Sequence, residues 1–244
     1  MAVREDKIGP GSPLYLQLRE LIRGKIENGE YLPGTAIPAV GVLAETYGIH
    51  RLSVRSAISA LIGEGLLKSV QGKGIFVVGD KLEQDLDTVG GFERNMLAQQ
   101  SENEIRVLLK CRRPAGAICA AVFGCEDERE VFYIRQLHCV DGEPVSLEDI
   151  FLREDQMPHL MEVDLGVFSI REVQDFYGVA PVRSEQSLEI TQLDSIDARL
   201  LEVDPKRGVL MLRSIGYDQR DKAVEISYTY TRGDKCNFSV RYRR

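Results

Sequence analysis

Arg51, Ser53 and Arg55 occupy alternate positions in the stretch IHRLSVRSAISAL, and Gln71-Gly72-Lys73-Gly74 follows a little further on. The chemistry these residues suit is the reading of a nucleic acid. An arginine grips guanine O6 and N7 with two parallel hydrogen bonds, and a serine bonds a base or a phosphate. A lysine between glycines lets backbone and one cation approach a phosphate or the minor groove. Any one of these residues alone is ordinarily a solvated surface group. Their order is what carries the DNA-binding expectation for Arg51, Leu52, Ser53, Arg55, Gln71, Gly72 and Lys73.

Those side chains need a scaffold, and the flanking sequence supplies one. Ser12-Pro13 offers a helix start, with the hydroxyl as cap and proline at the first helical position. Leu14, Leu18, Leu21, Ile22 and Ile26 then recur at helical spacing up to Asn28-Gly29. A second helix is expected over about 39–47, facing inward through Val40, Leu43, Ala44 and Tyr47, and Gly48 supplies the left-handed turn residue. A third runs from about Arg51 to Glu64, packed down by Val54, Ala57, Ile58 and Leu61. Two short apolar strands around Gly72-Lys73-Gly74 complete a winged helix-turn-helix, which puts the exposed start of the third helix into a major groove.

Composition supports two domains with different partners. Residues 1–78 carry nine Lys/Arg against seven Asp/Glu, whereas the remainder carries twenty-two against thirty-one, for a net charge of -7 over 244 residues. Phosphate affinity follows local charge, and an acidic remainder discourages nonspecific adhesion. No apolar run approaches the roughly 20 residues a spanning helix needs, and MAVREDKIG lacks a signal-peptide core. The five cysteines include no CxxC pair and read as reduced, packed thiols. A cytoplasmic location without membrane contact is the expectation.

The domain boundaries are read as 10–78 for the winged helix-turn-helix, 79–87 for a polar linker and 88–244 for the second domain. Strands are expected over 131–140, 144–152, 182–193, 208–218, 223–231 and 236–242, with helical pieces near 92–100, 114–122, 168–177 and 195–203. Asp141-Gly142 is a strong hairpin signal. Strands joined by hairpins with helices between them give an antiparallel sheet in an α+β domain. Alternation puts Gln136 and His138 on one strand face, and Glu225, Ser227, Thr229 and Thr231 together on another.

The N-terminal residues resemble the GntR family of bacterial transcription regulators: IHRLSVRSAI at 49–58, EGLL at 64–67 and QGKGIFV at 71–77 match its recognition helix, helix exit and wing. The weaker match, IPAVG at 37–41, puts Ala39 and Gly41 where the family has a serine cap and a base-contacting arginine. An alanine cap costs about 1 kcal/mol, and a lost arginine–guanine pair removes roughly 1–3 kcal/mol of discrimination. The family's usual operator is therefore not expected. Beyond residue 88, DGEPVSLEDIFL at 141–152, FYG at 176–178 and VEISYTYTRGDKCNF at 224–238 resemble the UTRA domain of the HutC subfamily, which has a chorismate-lyase-like fold.

The resemblance implies a one-component sensor, a repressor whose operator affinity changes when a small polar metabolite binds. Because one winged helix reads only a half-site, a homodimer on an inverted-repeat operator, nucleoid-associated when bound, is expected. The resemblance carries ligand-contacting glutamates onto Glu148 and Glu225 and matches at Ser169; Gln136, His138, Arg171 and Thr231 are the further effector-contact candidates. Members that sense sugar phosphates have an Arg-x-Arg pair where this chain has Gln136-Leu137-His138, and a Ser-x-Tyr where it has Ser169-Ile170-Arg171. A carboxylate or a neutral polyol is then as good a candidate as a phosphate. A lyase or hydrolase with a DNA-binding head is the competing class, with Glu148 and Glu225 as acid and base. No GxSxG, P-loop, HExxH or metal-spaced His/Cys cluster accompanies them, so neither catalytic residues nor cofactors nor metals are expected. An architectural DNA-binding protein without ligand is the third reading.

Overall fold

The computed structural model describes residues 13–78 and 103–235. The chain divides into two compact units, one of Met1–Leu82 with Glu162–Gly178, the other of Glu83–Met161 with Val179–Arg244. The expected linker, the helical piece near 92–100 and the strand over 236–242 lie outside the described residues.

The first unit contains α1 (Leu14–Glu27), α2 (Val40–Tyr47), α3 (Arg51–Gly63) and an antiparallel hairpin of β1 (Leu67–Val70) and β2 (Gly74–Val77). Leu18 and Ile22 of α1, Leu43 and Ala44 of α2, and Val54, Ala57, Ile58 and Leu61 of α3 make one core with Leu67 and Val77. Each of the leucines, isoleucines and valines contributes about 1.5–3 kcal/mol by leaving water. Gly48 closes α2 at φ 63°, in the left-handed region. Ala39 precedes α2 with no side-chain cap, as its chemistry requires. The start of α1 differs by one step from the expectation: Pro13 is the cap residue and Leu14 opens the helix. Helix α3 has a cap that the sequence reading did not identify, since His50 Nδ1 accepts the Leu52 N–H at 3.2 Å.

The second unit is built on a six-stranded antiparallel sheet. Its strands are β3 (Asn103–Pro114), β4 (Glu130–Val140), β5 (Glu143–Arg153), β6 (Arg183–Thr191), β7 (Val209–Tyr217) and β8 (Ala223–Thr231), in the order β3-β4-β5-β8-β7-β6. Asp141 and Gly142 both have positive φ, 51° and 80°, which turns β4 back onto β5. Strand β3 was missed in the sequence reading because IRVLLKCRRP mixes apolar and basic residues without strict alternation. Helices α4 (Gly116–Phe123) and α6 (Ser195–Leu200) cover one sheet face, through clusters that include Phe123 with Ile226 and Ala198 with Leu147. Helix α5 (Ile170–Phe176) belongs to the first unit.

Polar side chains pin α6 to the sheet. Arg135 on β4 lies 3.2 Å from Asp149 on β5 and donates to Asp197 on α6, while the Tyr133 hydroxyl donates to Asp149 at 2.6 Å. Burial pushes the Asp149 carboxyl up, opposed by Tyr133 and Arg135. A carboxyl raised in the folded state favours folding while protonated, and that contribution is lost as pH rises through the raised value. Arg135→Met leaves two largely buried carboxylates without their cation. It should cost about 3 kcal/mol at neutral pH, the low end for broken buried pairs. Chemical denaturation measures it, and the deficit should shrink on acidification.

Candidate functional site

The nucleic-acid candidates converge at the start of α3. Arg51, Leu52 and Arg55 are exposed and Ser53 half-buried, with Leu52 66% exposed despite its apolar side chain. The next turn of α3 is tied down locally, since Ser56 Oγ donates to the Leu52 carbonyl. Arg51 and Arg55 are one helical turn apart and so share a face. The Arg51 guanidinium passes over Gly41, whose missing Cβ would sit 3.6 Å from Arg51 Nη2. Gly41 is the position where the resemblance lacks its arginine, and here that space is next to Arg51. On the wing, Gln71, Gly72 and Lys73 are exposed, Gly72 has φ 75°, and Lys73 Nζ donates to the Gly166 carbonyl at 2.9 Å.

The effector candidates separate into three places. Gln136, His138, Glu148 and Thr231 occupy the sheet face opposite α4 and α6, because Gln136 pairs with Glu148, His138 with Ser146, and Ser146 with Thr231. All are buried, with Gln136 3%, His138 7%, Glu148 7% and Thr231 1% exposed. His138 Nε2 lies 3.0 Å from Glu148 Oε2, and the Thr229 hydroxyl donates to Glu148 Oε1 at 3.4 Å. Gln136 Nε2 is buried with no hydrogen-bond partner among the described residues, a donor whose desolvation costs about 1–3 kcal/mol until something accepts from it. Glu225 shares this face but lies opposite Leu152, four residues along β8 from Thr229. At the rise of an extended strand that is about 13 Å from the Glu148 row.

Ser169 and Arg171 belong to the first unit. Ser169 caps α5: its Oγ accepts the Glu172 N–H at 3.2 Å, and Glu172 Oε2 accepts the Ser169 N–H at 2.8 Å. Arg171 is 3.6 Å from Asp175, one turn on. Sequence reasoning did not single out Ser146 and Thr229 as members of the Glu148 row. Alternation put Thr229 on the right face, and only the strand register put both residues beside His138 and Glu148. Arg232 pairs with Asp234 at 3.0 Å, so the Arg232-Gly233-Asp234 stretch carries its own ion pair.

Comparison with known proteins finds two matched regions. Residues 14–77 match the bacterial regulatory proteins of the gntR family, and residues 98–237 match the UTRA domain. The chain is 26% identical to the HTH-type transcriptional repressor NagR of Bacillus subtilis (strain 168) over 226 residues, 93% of each chain. It is 26% identical to the histidine utilization repressor of Pseudomonas putida over 208 residues, 84% of this chain and 82% of that one. The crystal structure of PhnF from Mycobacterium smegmatis shares the fold at a TM-score of 0.60 and 24% identity, covering 94% of this chain and 99% of that one. Both domain matches and the named repressors agree with the helix-turn-helix geometry and the antiparallel sheet. The chain belongs to the GntR family, as a DNA-binding transcription regulator with a UTRA effector-binding domain and not an enzyme.

Proposed function

We propose that the protein is a homodimeric repressor that binds an inverted-repeat operator in the bacterial cytoplasm, at the nucleoid, and leaves it when a small polar metabolite occupies the UTRA domain. The observation that carries the DNA half of this reading is the exposed start of α3, where Arg51, Leu52 and Arg55 stand clear of the core. One such helix reads a half-site, and two-fold protein symmetry maps onto palindromic DNA. Support for dimerisation through the second unit comes from the edge strand β6, where Leu188 is 48% and Ile190 79% exposed. An edge with unpaired backbone groups and apolar side chains invites pairing with a second copy. The effector half rests on the unpartnered Gln136 amide beside Glu148. Repression is the action named for both relatives.

Selection of bound duplexes from a random pool tests the DNA half, and light scattering tests the assembly. The expected result is a palindromic consensus bound by twice the chain mass. A monomeric mass at micromolar concentration, with one chain per duplex, refutes the dimer. Ile190→Lys should lower dimer affinity at least tenfold, since a charge on an apolar interface loses more than 1.4 kcal/mol.

A further inference from the structure

Residues 163–168 close over the wing within the first unit. Lys73 Nζ donates to the Gly166 carbonyl at 2.9 Å, and Lys68 Nζ lies 3.5 Å from the Val167 carbonyl and 5.4 Å from the Phe168 ring centroid. Phe168 is 1% exposed and meets Phe76 of β2 edge-on, with ring centroids 6.0 Å apart. Gly34, at φ 81°, allows the approach at the other end. Its Cβ would stand 2.8 Å from Val163, and its carbonyl accepts the Asp164 N–H at 3.4 Å. An apolar anchor therefore holds two backbone carbonyls against both cations of the wing hairpin. In sequence the segment lies inside the UTRA match, and the chain of the second unit continues from it at Met161 and at Val179.

We propose that residues 163–168 are an intramolecular competitor for DNA, a strap whose carbonyls occupy the wing lysines in place of phosphate oxygens. A carbonyl and a phosphate oxygen make the same demand on an ammonium, namely an acceptor within about 3 Å. One Lys73 donor is committed to Gly166, and the strap covers the apolar base of the hairpin, so a duplex engages the wing fully only when the strap withdraws. Because the strap is continuous with the effector-binding domain on both sides, a change in that domain reaches the wing through this segment. This rests on the reading of Lys73 as a DNA contact, and the test separates the two.

Gly166 provides the means of testing it. It does not have a positive φ, and an added Cβ would sit 2.7 Å from Lys73 Nζ, the mobile end of a flexible side chain, and 3.1 Å from Asp164 Oδ1, a tighter contact that the carboxylate must also yield to. Gly166→Ala should therefore displace the lysine without straining the backbone. With a labelled duplex of mixed sequence, which senses phosphate contacts without a known operator, Gly166→Ala should bind about threefold or more tighter. Its salt dependence should steepen by about one, for the one phosphate contact regained. Lys73→Ala should cost more affinity in the Gly166→Ala background than in the parent. Amide exchange over 163–168 should quicken when the duplex is added, and Phe168→Leu should quicken it without DNA while a native melting transition persists. Equal cost of Lys73→Ala in both backgrounds, or exchange unmoved by DNA, overturns the strap. If Lys73→Ala has no effect in the Gly166→Ala background, the wing assignment beneath it fails.

Discussion

Arg55→Ala should weaken binding to the selected operator by about 5- to 150-fold, the equivalent of the roughly 1–3 kcal/mol carried by one bidentate arginine–guanine pair. The same change should move mixed-sequence binding by only the loss of one surface cation, with a salt slope smaller by about one. Arg55 is exposed on α3 directly above a core made by Val54, Ala57 and Ile58, so its backbone is held while its side chain is free to reach a base edge. Arg51→Ala should be similar in size, with an additional feature: its guanidinium passes over Gly41 in the free protein. Gly41→Ala adds a methyl at ordinary contact distance and should leave operator affinity unchanged within about twofold, since a surface change of this kind stays within 0.5 kcal/mol. Competition titrations on operator and scrambled duplexes decide it. Unchanged discrimination in both arginine variants removes α3 from the major groove.

Much of this architecture was legible in the sequence, for identifiable reasons. The head was readable because each of its signals is local. Gly48 needs a left-handed turn, Val54, Ala57, Ile58 and Leu61 repeat at helical spacing, and Gly72-Lys73-Gly74 breaks two apolar strands. The hairpin at Asp141-Gly142 was readable on the same grounds. Strand β3 was not, because its neighbour in the sheet, rather than its own pattern, keeps it extended: it pairs with β4 along nearly its full length, across a bulge between Val107 and Leu109. The polar face was half legible. Alternation put Gln136 with His138, but only the register of β5 and β8 shows that Ser146 and Thr229 complete their row and that Glu225 stands far along it. The assignment of residues 162–178 to the first unit has no sequence signal at all. Its contacts, such as Lys73 to Gly166, join residues far apart in the chain.

Glu148→Gln is expected to move the effector response to at least tenfold higher ligand concentration while leaving ligand-free DNA binding intact. The glutamate is buried, its two oxygens engaged by His138 and by Thr229, and directly across the strand Gln136 holds a buried amide donor without a partner. An acceptor that is charged and a donor that is unmet, side by side, fit a group that both donates and accepts, which is a hydroxyl. A phosphate would face the Glu148 carboxylate at close range, and no arginine fork stands in this row to hold it. The effector is therefore expected to present hydroxyl or amino hydrogens at this end of the face. A thermal-shift screen of polyols, sugars, amino sugars and their phosphate esters identifies it, since ligand at 100 times its Kd adds about 2.7 kcal/mol. Against the ligand so found, Gln136→Ala and Glu148→Gln should each lower affinity by about tenfold or more, the worth of a hydrogen bond to a charged or buried partner. Operator release should weaken in proportion, because a ligand shifts the two states only by its differential affinity for them. Glu225→Ala is the internal comparison: about 13 Å along the strand, it should leave the response to a monosaccharide-sized ligand intact. Normal midpoints in both Gln136→Ala and Glu148→Gln would place the effector elsewhere in the domain. A phosphate ester binding more tightly than its parent alcohol would refute the hydroxyl assignment while leaving the site in place.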